Sequence, residues 1–152
     1  MSTTVVAPIQ MSVTVPLAPP EAFELFTARF AEWWPLPSHS LSEDRADACY
    51  IEPFAGGRVY ERSLDGDEHL WGNVLAFEPP HRVAMTWHPG GGPATEVEVR
   101  FTAADDGTLV ELEHRGWEIF GDSAEEARNG YANGWPFVFG ERFVEAARAN
   151  KA

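Results

Sequence analysis

Apolar and polar residues alternate along most of the chain between positions 48 and 117. The clearest run is residues 96–101, in which Val97, Val99 and Phe101 alternate with charged residues. This period of two is typical of a β-strand with one buried and one solvated face. The pattern predicts six strands, over residues 48–52, 58–64, 70–77, 82–88, 95–102 and 109–117.

The gaps between these strands are short and rich in turn residues, such as the Asp-Gly pairs at 65–66 and 106–107. Parallel neighbours need long crossover connections, so six successive strands with short turns predict an antiparallel meander. In the last strand, Val110, Leu112 and His114 form the row that we expect to face inward. One face of the sheet therefore needs a cover.

Helical signals flank the six strands. An earlier strand around Val13 and Val15 stops at Pro16, and prolines at 19 and 20 then open a segment with apolar residues at helical spacing. We expect this helix to end near Trp33-Trp34, because Pro35 cannot continue it. The C-terminal segment carries a broad apolar stripe, which predicts a long helix. Its members are Tyr131, Trp135, Val138, Phe139, Phe143 and Ala146.

Two local features bear on this last helix. Ser123 and Glu126 have the spacing of a capping box, which indicates where the helix begins. Pro136 falls inside the apolar stripe, where a proline costs about 3 kcal/mol, so we expect a kink near 133–136 or a restart capped by Asn133.

The order of elements predicts an α+β fold in one domain over residues 1–152. We expect a curved antiparallel sheet of six to seven strands that wraps around the long C-terminal helix, with one or two short helices after the first strand. A sheet that curls around a helix, rather than packing flat against it, leaves room for a cavity.

Charge narrows the range of partners. The chain has 24 acidic and 11 basic residues, for a formal net charge of −13. This balance repels nucleic-acid phosphates and anionic membranes, and no run of apolar residues is long enough to span a bilayer.

The single Cys49 cannot form an intrachain disulfide, and its place beside Ala48 favours a small buried side chain. We expect a cytoplasmic protein.

Aromatic residues are unusually abundant, with six Trp, ten Phe and three Tyr but only three Ile. Such residues either fill a core or wall a cavity that accepts a planar or hydrophobic guest. The scarcity of small aliphatic fillers favours the cavity.

Several motifs, in order along the chain, resemble a known family. They are residues 53–61 (PFAGGRVYE), 72–74 (GNV), 77–80 (FEPP), 85–87 (MTW), 95–101 (TEVEVRF), 114–117 (HRGW) and 134–136 (GWP), with Trp33-Trp34 before them. Together they resemble the START-like, Bet v-like helix-grip superfamily (SRPBCC), and within it the branch named for the activator of the heat-shock protein 90 ATPase. The resemblance implies the helix-grip fold. It leaves activity open, since the superfamily includes lipid carriers, hormone receptors, polyketide cyclases and a chaperone activator.

The candidate ligand-binding residues are the aromatic residues and a buried histidine that we expect around the cavity. They are Trp33, Trp34, Tyr60, Trp71, Trp87, His114, Trp117, Tyr131 and Trp135. His114 is either a hydrogen-bonded core histidine or a ligand contact. Arg62 either points inward as a carboxylate receptor or outward to an ion pair with Glu52 or Glu61. The five histidines lack metal-site spacing, so neither a metal, a cofactor nor a catalytic residue is assigned.

Three functions remain open at this point. The first is a binding protein for a small hydrophobic or aromatic molecule. The second is contact with a chaperone, as the resemblance implies, and the third is an enzyme of the polyketide cyclase or hydrolase type, with His114 and either Glu61 or Glu113 as acid and base. A homodimer through an exposed strand edge also stays open.

Overall fold

Seven antiparallel strands form one curled sheet in the computed structural model, which describes residues 6–36 and 38–150. The strands are β1 (Ile9–Val15), β2 (Ala46–Ile51), β3 (Arg58–Ser63), β4 (Glu68–Glu78), β5 (Arg82–Trp87), β6 (Thr95–Ala104) and β7 (Gly107–Arg115). Their order across the sheet is β1-β7-β6-β5-β4-β3-β2. The predicted meander of six strands is confirmed, and β1 extends it beside β7.

Two short helices follow β1, namely α1 (Pro19–Phe26) and α2 (Phe30–Trp33). The expectation of one or two short helices is confirmed, although the segment up to Trp33-Trp34 forms two helices rather than one. The backbone leaves the helical path between the two, where the Thr27 hydroxyl donates to the Phe23 carbonyl oxygen at 2.7 Å. A threonine that bonds back to the preceding turn in this way bends or ends a helix.

The C-terminal helix is continuous over residues 124–149. It consists of α3 (Ala124–Phe137), a wider π-helical turn (Val138–Phe143) and α4 (Val144–Ala149). The expected capping box is absent, since the Ser123 side chain makes no capping hydrogen bond, and the helix does not restart at Asn133. Pro136 lies within α3, and the irregularity follows it as the π-helical turn. A proline removes one backbone donor and crowds the preceding turn, which disturbs the hydrogen-bond ladder.

The helix lies against the concave face of the sheet, and its second half is packed solidly. Phe139 and Phe143 have no exposed surface, and the ring of Phe26 contacts both, with its centroid 6.4 and 5.4 Å from theirs. From the sheet, the predicted inward rows of β6 and β7 are buried as expected, and Phe101 also contacts Phe26. Aromatic and aliphatic side chains fill the interior between the helix and the sheet here.

The outer face of the sheet carries an ion-pair cluster around Glu98, of which only 6% is exposed. Arg115 Nη1 lies 2.7 Å from one carboxylate oxygen, while Arg82 and Arg100 bond to the other. Burial alone would raise the pKa of Glu98, but the hydrogen bonds from the three arginines lower that pKa to about 2.

No helix in the described ranges is long and apolar enough to cross a membrane.

Candidate functional site

A partly enclosed pocket of about 430 Å³ lies beside the first half of the C-terminal helix. It is bounded by α3, the loop after α2 and the neighbouring strands β4 and β5. Four indole rings wall it, those of Trp34, Trp71, Trp87 and Trp135. The ring centroids of Trp34 and Trp71 are 5.2 Å apart, and those of Trp87 and Trp135 are 5.8 Å apart. Both the volume and the apolar walls are typical of small-molecule sites.

Each indole is placed by a different local device. Trp34 follows α2 directly, and its Nε1 donates to the His39 carbonyl oxygen at 2.7 Å, which fixes the loop against the ring. Trp71 is the extra residue of a β-bulge, since Val59 pairs with Gly72 while Tyr60 pairs with Leu70. A bulge turns a side chain out of the regular alternation, and here it directs an indole into the pocket wall.

The Trp71 ring is held from behind by Glu61, a carboxylate with no exposed surface. Trp71 Nε1 donates to Glu61 Oε1 at 2.7 Å, and the backbone N–H groups of Leu41 and Ser42 donate to the same carboxylate at 2.5 and 2.8 Å. Burial alone would raise the pKa of Glu61, but these hydrogen bonds outweigh it and lower the pKa. The carboxylate therefore ties the pocket loop to the sheet.

Trp135 is held by His114, which is also fully buried. Trp135 Nε1 donates to His114 Nδ1 at 3.0 Å, so His114 carries its proton on Nε2 and donates it to Thr95 Oγ1 at 2.6 Å. The Thr95 hydroxyl in turn donates to the Trp87 carbonyl oxygen at 3.0 Å. Burial lowers the pKa of His114 to about 3, which keeps it neutral. Of the two alternatives for His114, the hydrogen-bonded core histidine agrees with this geometry.

The polar groups of the pocket come from the loop and from α3. The loop contributes Ser38, His39 and Ser40, and α3 contributes Glu126 and Tyr131. His39 Nδ1 lies 2.7 Å from Ser38 Oγ, and its ring contacts Phe137 with the centroids 5.6 Å apart. The loop therefore touches the helix at the pocket rim.

Five of the nine predicted site residues line this pocket, namely Trp34, Trp71, Trp87, Tyr131 and Trp135. Trp33, His114 and Trp117 do not line it, and they pack behind its walls against Trp34, Trp135 and Tyr131 respectively. The indole N–H of Trp33 donates to the Leu25 carbonyl oxygen, and that of Trp117 donates to the His114 carbonyl oxygen. These three support the site without reaching it.

Tyr60 is also misplaced by the prediction. It alternates with the buried Val59 and Glu61, so it lies on the outer face of β3, where its ring contacts Tyr50 with the centroids 5.2 Å apart. Arg62 shares that face. Its Nη2 lies 3.4 Å from a carboxylate oxygen of Asp47, rather than from Glu52 or Glu61. The outward alternative for Arg62 is confirmed, with a different partner.

The acid–base pair considered for an enzyme is not formed. Glu113 lies on the outer face, where it accepts from Gln10 Nε2 at 2.9 Å and pairs with Arg115. Glu61 accepts hydrogen bonds from Trp71 and from the loop, and both ring nitrogens of His114 are already hydrogen-bonded.

In the part of the chain that the structure describes, no group of three or more His, Cys, Asp and Glu residues could hold a metal ion. Cys49 is buried, and burial raises the pKa of its thiol, which disfavours the reactive thiolate.

The loop residues around His39 were missed by sequence reasoning, because a polar loop has no periodicity that shows which way it faces. A usable signal lies in α3. Three pocket-lining positions of this helix, Ala127, Gly130 and Gly134, are small and recur every three or four residues. A Cβ on Gly134 would stand 3.9 Å from His39 Nε2, and one on Gly130 would meet nothing within 4 Å. A stripe of small residues beside aromatic ones thus marks the open side of the helix.

Known proteins resemble this chain in sequence and in fold. The sequence model of the family described as Activator of Hsp90 ATPase homolog 1-like protein matches residues 17–147. No curated protein gives a significant match in sequence. Among solved structures, Txn09, an anthrahydroquino-gamma-pyrone synthase complexed with SUM, is 36% identical, with 92% of this chain and 96% of that chain covered and a TM-score of 0.60.

Two more distant structures share the fold alone. Protein MLL2253 from Mesorhizobium loti is 21% identical, with 93% of this chain and 96% of that chain covered and a TM-score of 0.65. CalU16 from Micromonospora echinospora is 23% identical, with 95% of this chain and 76% of that chain covered and a TM-score of 0.62.

Proposed function

Because the chain belongs to the family of activator of Hsp90 ATPase homolog 1-like proteins, within the SRPBCC superfamily, we propose that it uses its pocket to bind a planar aromatic molecule. The observation that carries the proposal is the cluster of four indole rings among the residues that line a space of about 430 Å³. Flat aromatic walls favour a flat guest, because stacked and edge-to-face ring contacts add to the burial of apolar surface. The 36% identity to a synthase named for a fused aromatic pyrone supports the same class of guest.

The position of the small residues on α3 supplies a direct test. Gly130→Phe places a ring in open space at the pocket, whereas Asn129→Phe adds the same ring to the same helix at a position that does not line the pocket. Binding of flavone and of emodin is measured by isothermal titration calorimetry. We expect saturable binding to the wild type and to Asn129→Phe, and at least about a tenfold loss in Gly130→Phe, since a blocked pocket forfeits most contacts. The absence of saturable binding of either compound, or equal binding by both variants, would refute the proposal.

A second candidate function is catalysis of ring closure on such a molecule, which is supported by the identity to Txn09 and by an imidazole in the pocket. In an aryl diketone with an ortho hydroxyl, the phenol oxygen attacks the distal carbonyl carbon, and loss of one water gives the γ-pyrone ring. His39 would accept the phenol proton and return it to the departing hydroxyl, a role for which histidine suits neutral pH.

The test uses 1-(2-hydroxyphenyl)butane-1,3-dione, whose closure to 2-methylchromone is followed by absorbance. We expect an acceleration of about 100-fold over buffer that His39→Gln removes, within the usual range for acid–base catalysis. Glu125→Gln, which changes an exposed carboxylate of α3 outside the pocket lining, serves as the control. No acceleration by the wild type would leave binding without catalysis.

A further inference from the structure

Indole N–H groups are nearly all paired in this protein. Tryptophan can donate one hydrogen bond and accept none, so each N–H needs an acceptor when it is buried. Five of the six have an acceptor. Trp33 donates to the Leu25 carbonyl oxygen, Trp34 to the His39 carbonyl oxygen and Trp71 to the Glu61 carboxylate. Trp117 donates to the His114 carbonyl oxygen, and Trp135 donates to His114 Nδ1.

Trp87 is the exception. Only 5% of Trp87 is exposed, and its buried Nε1 has no hydrogen-bond partner among the described residues. A buried donor without an acceptor costs about 1–3 kcal/mol. The same side chain lines the pocket, so the unused donor lies on a residue of the site.

A second donor stands beside it. Tyr131 lines the pocket from α3, and its hydroxyl lies near the Trp87 N–H, which forms no hydrogen bond of normal geometry. Burial raises the pKa of Tyr131, and the neighbouring Trp87 N–H offsets part of that rise. The Tyr131 hydroxyl therefore keeps its proton at neutral pH and can donate it. The other unpaired buried atom, Ser42 Oγ, lies beside the Glu61 carboxylate and away from the pocket lining.

The charge around these donors narrows what they can receive. No lysine or arginine lines the pocket within residues 6–36 and 38–150, whereas Glu126 does, and the chain as a whole has a net charge of −13. A carboxylate or phosphate would enter this field without a cation to pair with, and an unpaired charge in an apolar pocket is costly. A neutral acceptor has no such cost.

We propose that the bound aromatic molecule carries a ring carbonyl oxygen, which accepts hydrogen bonds from the Trp87 indole N–H and the Tyr131 hydroxyl. This inference rests on the proposed binding function and adds the polar group by which the guest is oriented. Two convergent donors against a wall of indole rings distinguish an aromatic ketone, such as a pyrone or quinone, from an aromatic hydrocarbon of the same shape. They also aim hydrogen-bond donors at the oxygen on which negative charge would develop if a ring atom were attacked.

The experiment compares flavone with 2-phenylnaphthalene, which has the same ring layout but neither the carbonyl nor the ring oxygen. Both are titrated calorimetrically into the wild type, Trp87→Phe, Tyr131→Phe and the control Tyr50→Phe, whose phenol lies outside the pocket. We expect flavone to bind about tenfold more tightly than 2-phenylnaphthalene, and each pocket variant to lose about tenfold for flavone only, since one hydrogen bond contributes about that factor. Tyr50→Phe should bind both compounds as the wild type does.

The outcomes separate the two proposals. If neither compound binds, the binding function itself is refuted. If both bind the wild type equally, or if the variants lose affinity for both compounds alike, the pocket binds aromatic molecules but carbonyl recognition is refuted. Tyr131→Phe removes only a half-buried hydroxyl, so it remains informative even if Trp87→Phe is unstable.

Discussion

Replacement of Glu61 by glutamine is expected to weaken the fold and the pocket together. The carboxylate accepts two donors at Oε1, from Leu41 and Trp71, and one at Oε2, from Ser42. An amide oxygen in the Oε1 position keeps the first two. The amide NH₂ then faces the Ser42 N–H, so that one hydrogen bond is lost and two donors oppose each other.

The magnitude follows from these contacts. A hydrogen bond to a buried charged acceptor contributes about 1.5–3 kcal/mol, and a buried donor left unpaired adds to the loss. We therefore expect Glu61→Gln to lower the free energy of unfolding by about 2–4 kcal/mol near neutral pH, measured by urea denaturation with an unchanged m-value. Glu111→Gln is the matched control, since this exposed glutamate on the outer face of β7 makes no hydrogen bond in the described structure.

Acid should remove the difference between the two proteins. The pKa of Glu61 is lower in the folded state than in the unfolded state, so the unfolded chain binds the proton first as the pH falls. The stabilisation is complete above the unfolded pKa and is lost as the pH falls through the folded pKa. A difference below about 0.5 kcal/mol at neutral pH, or one that grows as the pH falls, would refute this account of the carboxylate.

Three further predictions concern buried or closely packed positions. His114→Gln keeps one acceptor and one donor but cannot take up a proton. The pKa of His114 is lowered to about 3, so between about pH 6 and pH 4 only the unfolded wild-type chain binds a proton at this histidine. This difference should cost the wild type about 1.4 kcal/mol of stability per pH unit as the pH falls, and the variant should lack it. Gly72→Ala should lower the free energy of unfolding by about 3 kcal/mol, because the new Cβ would overlap the Thr86 carbonyl oxygen. An unchanged midpoint in chemical denaturation would contradict this packing. Glu98→Gln should cost about 1–2 kcal/mol at neutral pH, and the difference should be lost as the pH falls through about 2, because the wild-type carboxylate takes up its proton there. A constant difference would exclude the arginine cluster as its cause.

The fold could be predicted from the sequence because its signals are local and repeated. Six alternating runs with short turns allow almost no arrangement other than a meander, and the apolar stripe near the C-terminus supplies the only cover of sufficient length. The errors occur where tertiary contacts override local preference. Thr27 divides a helix that the apolar spacing predicts as one, and Pro136 is accommodated by a π-helical turn rather than by a break.

The site was harder to predict, because burial alone does not distinguish a wall from the packing behind it. Trp33 and Trp71 look alike in sequence, yet only Trp71 reaches the pocket, through a bulge whose position depends on the pairing of β3 with β4. Tyr60 could have been excluded, since strict alternation with Val59 places it on the outer face. His39 could not have been included, because the direction of its loop is set by distant partners such as Glu61.

The C-terminal helix borders free space along its first half and a filled interior along its second half. Substitutions at Ala127, Gly130 and Gly134 alter the shape of the free space while the ring contacts of Phe139 and Phe143 stay intact. Side chains near the start of one helix can thus be exchanged without loss of the interactions that keep the chain folded. The shape of the pocket and the stability of the fold are therefore set by different parts of the same helix.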